Sequence, residues 1–263
     1  MCLQLFRAAL VLFAPGLAFG WGMEGHRLVV RLADTMLTLQ ARAQVTSTLE
    51  AGESLSALAS WADEVRNWRK ETFPWHFVDI PLHSAGLNMK RDCPMGDCVI
   101  GKIEEFRKVW RDPATSRASR REALLFLVHF VGDLHQPLHC EDNDDQGGNK
   151  VPVWAWSRET NLHSLWDSGI LEHMADEDSL FRTLSQAETP ARVKEWSGGT
   201  VEQWAEESFH LAQATVYGLL PHDQQDIAVS VPESYERAAE PVIEMQLERA
   251  GARLAAILNE SVR

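Results

Sequence analysis

His129 and Asp133, then His139, then His163 and Asp167 put five side chains able to bind a metal into two short stretches, HFVGDLHQPLH and NLHSLWD. Each His-x-x-x-Asp pair has the i, i+4 spacing that sets both side chains on one face of a helix, so two such pairs can converge on shared ions. Pro137 ends the helix that carries His129 and Asp133, because it lacks an N–H and restricts the residue before it. His139 then falls just beyond the helix end, where the chain can turn back toward a site.

Three further places carry residues of the same kind: Trp21 to His26 in WGMEGH, Asp63 in SWADEVR and His76 in WHFVD. A solitary His such as His76 is more often a satisfied core residue than a ligand. Its company changes that balance. His26, His76, His129, His139 and His163 with Asp63, Asp133 and Asp167 are too many for one zinc, which takes four ligands when structural and about three plus water when catalytic. Two or three ions would use them. Imidazoles mixed with carboxylates suit Zn²⁺ better than Ca²⁺ or Mg²⁺, and the lack of a CxxC pair argues against a purely structural zinc. Open positions on neighbouring ions imply bound water and hence hydrolysis.

The elements that must hold these residues are helices. Amphipathic periodicity runs through HRLVVRLADTML, SLSALASWADEVRNW, VIGKIEEFRKVW, REALLFLVHFVGDLH, EQWAEESFHLAQATVYGLL and ESYERAAEPVIEMQLERAGARLAAILNE. WHFVDI and KVPVWAW are the only candidates for strands, so the expected fold is all-α. With 263 residues, 45% of them hydrophobic, and no repeat or linker, the chain is expected to form one mainly helical domain over 21–263. The acidic, Gly-rich run Glu141 to Lys150 reads as a solvent loop and, beside the ligands, as a rim of the site.

The first twenty residues carry one charge at Arg7, an apolar run from Ala8 to Leu17, and small residues at Ala18 and Gly20. That is the layout of a secretory signal cleaved after Gly20, and no later segment is apolar enough for a membrane anchor. The expected location is secreted or periplasmic. Outside the cytosol Cys93 and Cys98, which flank Pro-Met-Gly-Asp, could close a disulfide. Cys140 has no obvious partner, and burial as a small residue is preferred to weak metal binding. Asn259-Glu-Ser261 fits a glycosylation sequon but falls in the last helix, and no glycan is expected there. The formal charge of −13 excludes a broad cationic surface for phosphate backbones, so any anion site must be local.

Taken in order, WGxxGH, SWADxxR, WHFVD, HFxGDxHQPLH, GGN and NLHSLWD resemble the trinuclear-zinc phospholipase C and P-one nuclease superfamily, in its mung bean nuclease-like branch. The resemblance implies three Zn²⁺ per chain. Asp63, His76, His129 and Asp133 would hold the first, and His139, His163 and Asp167 the second. The third would be held by His26, by the bridging Asp133, and by the amine and carbonyl of Trp21, which signal removal would expose as a new N-terminus. Arg66 and Asp63 would be catalytic, Arg66 steadying transition-state charge and Asp63 orienting a zinc-bridging hydroxide. Phe77, Asp79, Gly147 and Asn149 would form a base pocket.

The implied activity is that of a zinc-dependent endonuclease and 3′-nucleotidase, acting as a monomer on single-stranded DNA, RNA and 3′-nucleotides and leaving 5′ phosphates. Single strands are expected because only an unpaired base can stack on Phe77. A zinc phospholipase C is the nearest alternative, but it resembles His-x-x-x-Glu where this chain has Asp167. A non-enzymatic periplasmic zinc-binding protein is the second alternative.

Overall fold

A computed structural model describes residues 21–221 and 228–260, so the expected leader over 1–20 and Ser261 of the sequon lie outside the described residues. Among the described residues the helices are α1 (Met23–Thr35), α2 (Leu39–Thr48), α3 (Trp61–Val65), α4 (Met89–Asp92), α5 (Val99–Arg111) and α6 (Arg117–Leu134). They continue as α7 (Leu162–Ser164), α8 (Ile170–Met174), α9 (Glu177–Ala187), α10 (Pro190–Trp196), α11 (Val201–Leu211) and α12 (Glu233–Asn259). The fold is mainly helical, as expected.

The central element is α6. Ser116 caps its start by accepting from the Ser119 N–H, and every residue from Ala123 to Leu134 is buried. A helix apolar on all sides belongs inside a core, and α5, α1, α12, α3 and α2 pack around this one. It stops at Leu134, and Gln136 turns extended ahead of Pro137, as the ring of that proline requires. On the far side α1 packs against α12, where Gly251 permits the approach: a Cβ there would lie 2.7 Å from the Leu32 Cβ.

Three segments differ from the periodicity. SLSALASWADEVRNW is helical only over Trp61–Val65, and the turns before it leave the Ala59 carbonyl to accept from His129 Nδ1 at 3.0 Å. WHFVDI forms no strand: Trp75 and His76 end the 3₁₀ turn Lys70–His76, and residues 77–80 run extended beside the end of HQPLHCED. The Val78 N–H donates to the His139 carbonyl, the Asp142 N–H to Ile80 and the Leu82 N–H to Asp142. KVPVWAW does supply a strand, β1 (Pro152–Ala155), in a small sheet of order β2-β1-β3 with β2 (Arg158–Asn161) and β3 (Val229–Ser230). β1 pairs antiparallel with β2, Pro152 opposite Asn161, and parallel with β3, Val153 opposite Val229. The sheet leads directly into the site, because Asn161 caps α7 by accepting from the Ser164 N–H at 2.7 Å.

Cys93 and Cys98 form the expected disulfide, and Cys140 is fully buried with its thiol donating to the Leu134 carbonyl. Asn259 is engaged on both sides of its amide, accepting from the Thr38 N–H and donating to the Met36 carbonyl.

On α12 the Glu248 side chain is only 7% exposed, and burial pushes its carboxyl up to about 7, with Glu244 and Glu188 adding to the shift and Arg192 opposing it. The folded chain therefore holds a proton that the unfolded chain releases near the ordinary carboxylate value, and stability falls as pH rises from about 4.5 to 7. Glu248→Gln is expected to raise stability by about 1–3 kcal/mol above pH 7, and to be neutral below pH 4, in thermal melts across pH.

Candidate metal centre

The centre is built on one buried carboxylate. Asp133, on α6, is fully buried, with Oδ1 3.4 Å from His26 Nε2, and Oδ2 3.0 Å from His76 Nδ1 and 3.3 Å from His129 Nε2. Asp63, from α3, brings its Oδ1 to 3.5 Å from His129 Nε2 and 3.9 Å from His76 Nδ1. The rings of His26 and His129 stack at 4.0 Å. Across the site His163 Nε2 lies 3.2 Å from Asp167 Oδ2, and the His139 and His163 rings are 5.0 Å apart. Asp167 sits in a wide π-turn, Leu165–Gly169, and the Gln136 amide donates to its Oδ1.

Donor atoms fall into three groups, each within 4.8 Å: His26, His129 and Asp133; Asp63, His76 and His129; and His139, His163 and Asp167. All eight predicted His and Asp side chains are thus brought together. Asp133 and His129 lie where the first two groups meet. Trp21 is fully buried and its indole belongs to the core, while the next residue is tied to the π-turn by a Gly22 N–H to Asp167 carbonyl bond of 2.8 Å.

The donor set fits metal dications. His129, His139 and His163 each donate Nδ1–H to a backbone carbonyl, of Ala59, His76 and Gly147 respectively, which fixes the tautomer and turns Nε2 inward as a lone-pair donor. His129 Nε2, His139 Nε2, both nitrogens of His26, and one oxygen each of Asp63 and Asp133 are buried without a hydrogen-bond partner. Proteins seldom leave such atoms unsatisfied. Their shared direction is that of a cation site.

Charge points the same way. Burial pushes the His129 imidazolium down, yet Asp133 and Asp63 more than offset this and lift it to about 9. Burial lowers His26 and His76, and lowers His139 to about 4, which favours the neutral imidazole that a metal would need.

Above the centre opens a cleft of about 550 Å³, whose lining includes Arg66, His76, Phe77, Asp79, His139, Gly147, Asn149 and His163. All four predicted base-pocket residues therefore share one space with Arg66 and three of the candidate ligands. Arg66 is buried, with Nη2 3.5 Å from Asp63 Oδ1. Asp79 keeps an edge to solvent, but its recessed place in the cleft, with Asp142 and Asp92 nearby, pushes its carboxyl up to about 6. The acidic loop forms a rim as expected, with Glu141, Asp142, Gln146 and Lys150 also lining the cleft. Gly147, at φ +59°, packs so close that a Cβ would lie 2.7 Å from the Leu138 carbonyl.

Sequence reasoning passed over Phe73, which lines the cleft, Gln136, which holds Asp167, and Gly132. Gln136 and Gly132 lie inside HFVGDLHQPLH, and their place between ligands was the available signal. Phe73 had none.

Buried imidazole and carboxylate groups beside an open cleft, in a helical frame, define a candidate metal centre of the kind a hydrolase uses. The family profile described as S1/P1 Nuclease matches residues 21–263. Endonuclease 2 of Arabidopsis thaliana is 31% identical, over 95% of this chain and 93% of its own length. Nuclease P1 of Penicillium citrinum is 31% identical over 91% of this chain and 97% of its own, and Nuclease S1 of Aspergillus oryzae 29% identical over 96% and 95%. The chain belongs to the S1/P1 nuclease family and is a hydrolase of phosphodiester bonds in nucleic acids.

A Cβ on Gly132 would sit 2.6 Å from His26 Nδ1 and 2.9 Å from its Cε1. Gly132→Ala should therefore displace His26 from Asp133 and lower bound metal by about one ion per chain, read by elemental analysis, while far-UV circular dichroism stays helical. Unchanged metal content would remove His26 from the centre.

Proposed function

We propose that the protein is a secreted or periplasmic zinc-dependent endonuclease and 3′-nucleotidase that cleaves single-stranded DNA and RNA to 5′-phosphorylated products. The observation that carries this is the set of buried, unpartnered imidazole and carboxylate atoms grouped as metal donors, with His76, His139 and His163 of those groups lining the cleft of Phe77 and Asp79. Three zinc ions would be held as the motifs imply. Asp63, His76, His129 and Asp133 would take one, His139, His163 and Asp167 another, and Trp21, His26 and Asp133 the third. When bound, zinc supplies Lewis acidity and a water that ionises near neutral pH, the chemistry a phosphodiester needs.

The chain's own residues do the rest. Arg66 presents a guanidinium to the cleft, suited to the charge that builds on equatorial phosphate oxygens. Its neighbour Asp63, 3.5 Å away, orients it and the attacking nucleophile. Phe77 offers a ring to a base that has left any duplex, and Asp79, Gly147 and Asn149 offer polar atoms to the base edge. Sequence preference is weak, because every base has a face to stack. Bound dications give a protein of charge −13 a local anion site.

Export is supported by the apolar leader and by the disulfide between Cys93 and Cys98. Cleavage after Gly20 would free the Trp21 amine for the third ion. No helix among the described residues is long and apolar enough to cross a membrane, and the chain is proposed to work as a monomer.

The deciding assay uses protein beginning at Trp21, with single- and double-stranded DNA, RNA and 3′-AMP as substrates and metal content measured. Cleavage of single strands is expected, with activity lost to a chelator and restored by Zn²⁺. His129→Ala and Asp133→Asn should each lower kcat/KM by about a thousandfold or more. Full activity in both variants would refute the site. Hydrolysis of para-nitrophenyl phosphorylcholine without cleavage of DNA would make the protein a phospholipase C, and zinc binding without phosphoesterase activity a binding protein.

A further inference from the structure

Phe73 and Phe77 flank the end of the 3₁₀ turn Lys70–His76, with ring centroids 5.6 Å apart and planes at 78°. Phe77 is half-buried, whereas Phe73 is 48% exposed, and both line the cleft that holds Arg66. An exposed Phe standing alone is ordinary surface. Phe73 does not stand alone, because its ring continues the aromatic wall of the base pocket. The right angle between the rings matters. A base stacked parallel to Phe77 turns only its edge toward Phe73, so one base cannot use both faces.

We propose that Phe73 is a second stacking platform, which takes the base of the nucleotide next to the one on Phe77. The protein would then hold a single strand across at least two nucleotides. The proposal rests on the nuclease reading above. Arg66 and Lys150 line the cleft together with Asp79 and Asp142, so a phosphate linking the two bases can meet a cation in the same space. Splayed bases of a single strand are free to meet two perpendicular rings, while bases stacked in a duplex are not.

The test compares kcat/KM for a six-nucleotide single strand with that for 3′-AMP, which has only one base to place. Stacking on an aromatic ring is a large effect per base, so the ratio of the two should fall roughly five- to fiftyfold in Phe73→Ala and in Phe73→Leu. Phe73→Trp should restore it. An abasic position beside the base held by Phe77 should lower the wild-type rate by a similar factor and add nothing in Phe73→Ala, since the two changes remove one contact. Trp68, 66% exposed on the preceding turn and not part of the cleft lining, serves as control: Trp68→Ala should leave the ratio unchanged.

Equal losses on both substrates in Phe73→Ala would show a ring that only props Phe77 and would overturn the platform. So would an abasic penalty that persists in Phe73→Ala, or a Trp68→Ala effect of the same size. Wild-type protein that cleaves neither substrate would overturn the nuclease reading itself, and the platform with it.

Discussion

A carboxylate with no access to water, Asp133, sets the terms for the rest of the molecule. Burying an isolated charge is so costly that the surroundings must compensate it. Here the compensation comes from His26, His76 and His129, drawn from three separate parts of the chain to within 3.4 Å of its oxygens. The most completely buried helix, α6, exists to carry that carboxylate into the interior, and α1 and α3 pack on it so that His26 and Asp63 arrive from either side. Gly132 has no Cβ because the His26 ring occupies the space one would fill.

Around this centre the backbone is irregular wherever an imidazole has to be aimed. The carbonyls of Ala59, His76 and Gly147 each accept an Nδ1–H, and none of them lies inside a long helix. A carbonyl within a helix already has its partner four residues on, so loops and short turns are where spare acceptors are found. The extended pairing of residues 77–82 with 139–142 follows from this need. It fixes His76 and His139 relative to each other and places Phe77 and the acidic loop on the cleft wall. The small sheet works to the same end by delivering Asn161, the cap of the turn that starts with His163.

An acidic protein that acts on a polyanion resolves the contradiction locally. The formal charge is −13, while three residues of the candidate metal groups, His76, His139 and His163, line one cleft. The lift of His129 to about 9 records how strongly Asp133 and Asp63 call for positive charge there. The S1/P1 nuclease family is metal-dependent, and three groups of buried donors here are candidates to hold such ions.

Much of this was legible beforehand. The i, i+4 spacing of His129 with Asp133 and of His163 with Asp167, and the stop imposed by Pro137, are local rules of backbone geometry, so the sequence by itself determined which side chains share a face and where α6 ends. Motif order likewise named Asp63, His76 and His26 as companions, and the helical periodicity determined the fold class. What only the tertiary structure decided were relations between distant segments. Residues 54–60 leave the helix although their pattern is amphipathic, and the Ala59 carbonyl is then taken by an imidazole seventy positions away. WHFVDI is extended only from Phe77 on, and its partner there is a loop, so no strand results. Phe73 faces the cleft because the turn from Lys70 to His76 aims it there. Periodicity describes how a residue relates to its near neighbours along the chain; which carbonyl, ring or carboxylate meets it across the core depends on how the helices pack.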